Sequence, residues 1–162
     1  MKFSYRTDFP APLDQVLDVL ASEELAQRRA DTLHINDYSF SSSAPAKGER
    51  TYSMTAKVGA ERLPDQIRKF IKNGLSARIE SKQCVVGADS ATVEHAVSLT
   101  GAPVKLAFVL NLDEESGVTH ALYEGEFNVN VPFVGKTIEQ KAGGYVDDVI
   151  ARDAKLVIEE LR

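Results

Sequence analysis

"VNVPFVGKTIEQKAGGYVDDVIARDAKLVIEEL", residues 129 to 161, changes its periodicity at a proline. Before Pro132 the residues alternate, with Tyr123, Phe127, Val129 and Val131 on one side and Glu124, Glu126, Asn128 and Asn130 on the other. That is the pattern of a half-buried strand. After Pro132 the spacing is helical to the C-terminus. A helix from Val134 to Arg162 would run roughly 43 Å, against a diameter of about 40 Å for a domain of this length. Ile138, Ala142, Tyr145, Val149 and Leu156 fall in one narrow arc of it, flanked by Val146, Ile150 and Val157. An apolar arc must be covered, and the strands upstream are the only large apolar surface available. The turn at Pro132 to Gly135 therefore folds the helix back across a sheet.

Working outward, residues 2 to 9 alternate Phe3, Tyr5, Thr7 and Phe9 against Lys2, Ser4, Arg6 and Asp8, a first strand ended by Pro10 and Pro12. Pro12 suits a first helical position, and Val16, Leu17 and Leu20 mark a short helix. "SEELAQRRADTL" predicts a second helix after a Ser22 cap. From about Leu33, with His34 beginning a strand, about six strands follow, among them the sets Tyr52, Met54, Ala56, Val58, then Val93, His95, Val97, Leu99, then Leu106, Phe108, Leu110, Leu112. "LPDQIRKFIKNG" interrupts them as a loop or short helix. Short turns between strands predict an antiparallel sheet, hence an α+β chain whose residues 1–162 form one domain.

Composition narrows the function classes. The chain of 162 residues is 43% hydrophobic and 27% charged, ordinary for a soluble globular protein. A net charge of −5 supplies no basic excess for nucleic acid. Six basic residues between Glu61 and Lys82 (Arg62, Arg68, Lys69, Lys72, Arg78, Lys82) still form a local positive run, and "IRKFIKNG" within it reads as a solvated loop or as an attractor of anionic head groups. Cys84 is the only cysteine, which rules out an internal disulfide and a thiolate metal site, and it reads as a structural strand residue. Neither a signal peptide nor an apolar run of about 20 residues is seen, so the expected location is the cytoplasm with no integral membrane segment. No histidine pair has zinc-helix spacing, and no G-x-S-x-G elbow, P-loop or G-x-G-x-x-G occurs. The expectation is no catalytic motif, no metal and no cofactor.

One strand, two short helices, a run of strands and a long terminal helix resemble the helix-grip fold of the START-like (Bet v 1-like, SRPBCC) superfamily. The quoted C-terminal segment is similar in particular to an actinobacterial group, domain of unknown function 2505. The resemblance implies a curved antiparallel sheet around the terminal helix and a hydrophobic cavity between them. Lipids, sterols, polyketides or plant hormones occupy it in that superfamily, some of whose members are cyclases and some of which bind proteins. It implies no catalytic residues.

The residues expected to line such a cavity are Tyr52, Met54, His95, Phe108, Tyr123, Phe127, Tyr145, Val149 and Asp153. Tyrosines add directed hydroxyls to an apolar wall. Periodicity alone leaves simple core packing open for each of them. Asp153 lies inside the apolar arc, where it would meet a ligand hydroxyl, a basic side chain, or water beyond the sheet. Gly143 and Gly144 mid-helix would kink the helix or admit a close neighbour. His95 shares an apolar strand face, whereas His120 shares the face of Glu124 and Glu126 and is expected in solvent. The expected function is binding or carriage of a hydrophobic small molecule. A cyclase or dehydratase using His95, Asp153 or a tyrosine, and a protein-interaction module, are the alternatives.

Overall fold

The computed structural model describes residues 1–62, 65–69, 73–101 and 103–162. Strands β1 (Lys2–Phe9), β2 (Tyr38–Ala46), β3 (Glu49–Val58), β4 (Leu75–Val85), β5 (Ser90–Thr100), β6 (Val104–Glu115) and β7 (Val118–Val129) form one antiparallel sheet in the order β1-β7-β6-β5-β4-β3-β2. Helices α1 (Leu13–Leu20) and α2 (Glu23–Thr32) follow β1, α3 (Asp65–Arg68) interrupts the strands, and α4 (Gly135–Glu160) ends the chain. This is the expected helix-grip arrangement. Lys72, with Phe70 and Ile71 of the basic run, lies outside the described residues.

Local chemistry explains the element ends. The Ser22 hydroxyl accepts from the Leu25 amide at 3.2 Å, capping α2. Pro12 stands at the cap of α1, one residue before the helix, and the first amide, Leu13, donates to Glu114 Oε1 of β6 at 2.6 Å. The second strand begins at Tyr38, later than expected, because His34 takes a positive φ of 55° in a turn after α2. At the strand-to-helix junction, a Cβ on Gly135 would lie 2.4 Å from the Val129 carbonyl oxygen. Only glycine allows that reversal. Glu139, one turn into α4, accepts the Val129 amide at 2.9 Å and holds the end of β7 against the helix.

The strand pairs put one set of side chains in lateral rows across the inner face. One row runs Tyr52, Ser81, His95, Phe108, Gly125, Phe3. On one side of it lies Gln83, Val93, Leu110, Tyr123, Tyr5, and on the other Phe40, Met54, Ile79, Val97, Leu106, Phe127. Burial falls off along β5 and β6, though not along β3 or β7, where Ala56 and Phe127 are buried. On β5, Ala91 and Val93 are buried and Val97 and Leu99 half-buried; on β6, Leu112 and Leu110 are buried and Phe108 and Leu106 half-buried. The inner face is thus closed at the end under α1 and, at the other, half open over β5 and β6 between buried Ala56 and Phe127.

The covering helix is rotated and displaced from its expected seat. α4 packs on β1 and β7 and against α1 and α2, at one edge of the sheet. Its buried residues are Gly135, Ile150, Ala154 and Val157, with Val146 and Leu156 packed beside them. Tyr145 and Val149, expected inside the covered arc, are 61% and 58% exposed. An edge seat lets α1 and α2 share the contact, so the covered line turns toward them and away from Tyr145. Gly143 admits a close neighbour, since a Cβ there would meet Met1 Cε at 3.0 Å, whereas nothing lies within 4 Å of one on Gly144. No described helix is long and apolar enough to cross a membrane.

Two glycine substitutions separate these roles. A Cβ on Gly125 would sit 2.4 Å from Phe108 Cβ and 2.5 Å from the Ala107 carbonyl oxygen, neither of which can swing away. Gly125→Ala is expected to cost about 3 kcal/mol, and Gly144→Ala to stabilise by about 1 kcal/mol. Urea denaturation of both variants checks this, and a neutral Gly125→Ala would contradict the packing described.

Candidate functional site

Between the closed and half-open ends of the inner face, polar side chains meet. Arg29 of α2 reaches Asp153 of α4 with a planar two-point contact, Nε to Oδ1 at 2.6 Å and Nη2 to Oδ2 at 2.9 Å. The two side chains are 21% and 28% exposed. Burial lowers the Arg29 pKa, and the adjacent Asp153 carboxylate more than reverses this, leaving it above its ordinary value. Arg29 follows Leu25 by four residues and Ala26 by three, which puts it on the covered side of α2. That spacing was the available signal for a residue that periodicity arguments about strands passed over.

Beneath this pair lies the row from β3 to β6. The Tyr52 hydroxyl is near Gln83 Nε2 at 3.4 Å, and the same amide donates to the Leu17 carbonyl at the end of α1 at 2.9 Å. Ser81 Oγ and His95 Nδ1 are 2.8 Å apart, and the His95 ring stacks on Phe108 with centroids 4.5 Å apart. Ser81 and Gln83 are buried polar residues that the sequence reading missed. Their signal was alternation with the charged Arg78, Glu80 and Lys82, which puts them on the inward side of β4.

Tyr123 stands apart. It is 3% exposed, packed edge-on against Tyr5 and beside Phe108, and among the described residues its hydroxyl is the one buried side-chain polar atom without a hydrogen-bond partner. An unmet hydroxyl of this kind costs about 1–3 kcal/mol. Burial first, then the Asp153 carboxylate, raise its pKa well above the ordinary phenol value. Tyr123 can therefore give a hydrogen bond without giving up its proton.

The structure brings Tyr52, His95, Phe108, Tyr123 and Asp153 onto one side of the sheet and adds Arg29, Ser81 and Gln83. Phe127 is buried and Met54 half-buried in the neighbouring row. Tyr145 and Val149 lie outside the set, on the exposed side of α4. Two open grooves of about 570 and 780 Å³ run along the sheet, lined mostly by outer-face residues such as Ser41, Ser53 and Glu80 or Lys2, Glu124 and Glu126, with Tyr52, Ser81 and His95 also lining the first and Phe3, His95 and Phe108 the second, and by none from α1, α2 or α4. Among the described residues no group of three or more His, Cys, Asp or Glu is placed to hold a metal ion. His120 is exposed as expected, 2.6 Å from Asp8 Oδ1, and that carboxylate raises its pKa.

His95 yields a pH prediction. Burial, and then the Arg29 charge, hold its pKa down at about 3, while Asp153 pulls weakly the other way. The unfolded imidazole titrates near 6.5, so between about pH 6.5 and 3 the unfolded chain binds the extra proton. The folded state therefore loses stability as pH falls through this window, by about 2 kcal/mol at about pH 5 from this residue. Urea denaturation of wild type and His95→Asn at neutral and acid pH is expected to show the wild type falling more steeply by that amount. Parallel pH profiles would contradict the burial of a neutral imidazole.

Known proteins place the chain without naming its ligand. Solved structures of the same fold include a conserved protein from Geobacillus kaustophilus (TM-score 0.61, 15% identity, covering 99% of this chain and 95% of that one). Human STARD10 matches with a TM-score of 0.60 at 8% identity over 98% of this chain, which spans 63% of that protein's chain. Norcoclaurine synthase from Thalictrum flavum matches with a TM-score of 0.54 at 14% identity, over 99% and 92% of the two chains. No curated protein matches by sequence. The family model described as "Protein of unknown function (DUF2505)" covers residues 4–159, and the chain, with its START-like, Bet v 1-like fold, belongs to that family.

Proposed function

We propose that the protein binds a hydrophobic small molecule, of lipid, sterol or polyketide-like kind, against the half-open part of the inner face. The observation that carries this reading is the fall in burial along β5 and β6, from covered Val93 and Leu110 to half-covered Val97 and Leu106. Because α4 rests on β1 and β7, the apolar side chains Ile79, Val97 and Leu106 stay half-buried, while Met54 beside them packs toward the cluster of Ala30, Ile35 and Ala56. Apolar surface left uncovered in this way is a place for an apolar guest, worth about 25 cal/mol per Å² of surface removed from water. Tyr52, His95, Phe108, Tyr123, Phe127 and Asp153 complete the proposed site around that strip.

Carriage fits the polar groups better than catalysis does. Acid–base work near neutral pH wants groups that titrate there. Burial drives His95 and Tyr123 apart instead, one down to about 3 and the other up. The Ser81–His95 pair has no carboxylate hydrogen-bonded to the far ring nitrogen among the described residues. Fold alone does not choose, since a synthase by name shares it.

Fluorescence titration with diphenylhexatriene, a neutral hydrocarbon probe, tests the reading. Saturable binding at one probe per chain is expected, weakened roughly tenfold in Val97→Trp, where the indole fills the open strip. Probe binding that never saturates, or that ignores Val97→Trp, would defeat the proposal.

A further inference from the structure

We propose that the half-open end of the molecule docks on an anionic lipid bilayer, with Phe133 entering the lipid interface and lysines around it meeting the head groups. This goes beyond the guest site and stands apart from it. At the junction of β7 and α4, Phe133 is wholly exposed and holds a φ of 69°. A bulky side chain in that left-handed region is strained. Val134 beside it is exposed as well. Neither side chain serves the core, so the strained apolar tip is left for a contact outside the chain.

The surroundings of the tip are basic. The Asn130 amide donates to the Pro103 carbonyl at 2.7 Å, which sets the tip against the turn between β5 and β6. That turn packs on Gly74, whose carbonyl oxygen would lie 3.0 Å from a Cβ on Gly101. Exposed lysines belong to the same end: Lys105 at the start of β6, Lys136 in the first turn of α4, and Lys69 between β3 and β4. The positive end of the α4 dipole adds to them. Nearby carboxylates are engaged, Glu139 with the Val129 amide and the N-terminal amine, Asp65 with Arg68, while exposed Glu61 offsets part of the charge. The opposite end of the sheet carries exposed Asp8, Asp89, Asp113 and Glu115. An anionic surface attracts one end and repels the other, which turns Phe133 toward it.

Area decides between a bilayer and a protein. A stable protein pair buries roughly 800 Å² on each side, and Phe133 with Val134 offers far less. A fluid lipid interface needs no matching pocket and takes a single aromatic ring beside lysines. Tyr145 and Val149 are exposed too, but roughly 15 Å or more along α4 from its start, next to exposed Asp147 and Asp148.

Flotation with vesicles of phosphatidylcholine, alone or mixed with an equal part of phosphatidylserine, tests this. Wild type at low salt is expected to bind the mixed vesicles roughly tenfold better or more, and to lose that preference as salt rises. Phe133→Gly suits the positive φ and so keeps or raises the melting temperature, yet is expected to weaken vesicle binding roughly tenfold. Lys105→Ser and Lys136→Ser are each expected to weaken it roughly fivefold. Val86→Ser removes a lone exposed apolar side chain from the acidic end and is expected to change nothing. Equal binding to both vesicle types, or equal losses from Val86→Ser and Phe133→Gly, would overturn the proposal. Self-association through Phe133 in sedimentation, without vesicle binding, would overturn it as well. Diphenylhexatriene titration is run without vesicles, so the guest site and the docking surface fail separately.

Discussion

The two-point contact between Arg29 and Asp153 is the constraint on which the inner face depends. It joins α2 to α4 above the sheet, at 2.6 and 2.9 Å, from residues 124 positions apart in the chain. Half-buried ion pairs return little net stability, because the cost of leaving water offsets the attraction. Geometry is the stronger consequence. A planar fork meeting a carboxylate fixes two helices in orientation, and Arg28 reinforces the same junction through Glu159 and Glu160. With α4 held toward α2 and seated on β1 and β7, the remaining cover of the sheet comes from α1, which meets β6, and α2, which meets β2.

The pair also sets the electrical conditions beneath it. Its charges reach Tyr52, Tyr123 and His95, whose titration they modify after burial has done most of the work. The result is a cluster with a compensated ion pair, a neutral imidazole and protonated phenols at neutral pH. The outer face has a different character: hydroxyl pairs such as Ser41–Ser53 and Ser43–Thr51 are exposed there, and its open grooves are lined by no residue of α1, α2 or α4.

Much of the fold was legible because its signals are local. Alternation in residues 2 to 9 and 123 to 131, the Ser22 cap and the switch at Pro132 are properties of short windows, and they correspond to β1, the later part of β7, the start of α2 and the passage into α4. Placement of His95, Tyr52 and Tyr123 on the inner face follows from the same period of two. The helical arc was less secure. Hydrophobic periodicity finds the apolar side of α4 but cannot say that α1 and α2 would share it, and so Tyr145 and Val149 were assigned to a face that turned outward.

The amino-acid sequence by itself determined the order of elements, the two faces of each strand and the absence of familiar catalytic motifs, since all of these are read within a few residues. Only the tertiary structure decided which residues face one another: Arg29 with Asp153, Ser81 with His95 and, among the described residues, no hydrogen-bond partner for the Tyr123 hydroxyl. The reason is physical. Partnership between side chains far apart in sequence depends on strand register and helix seat, which many distant contacts set together and no single window of sequence contains.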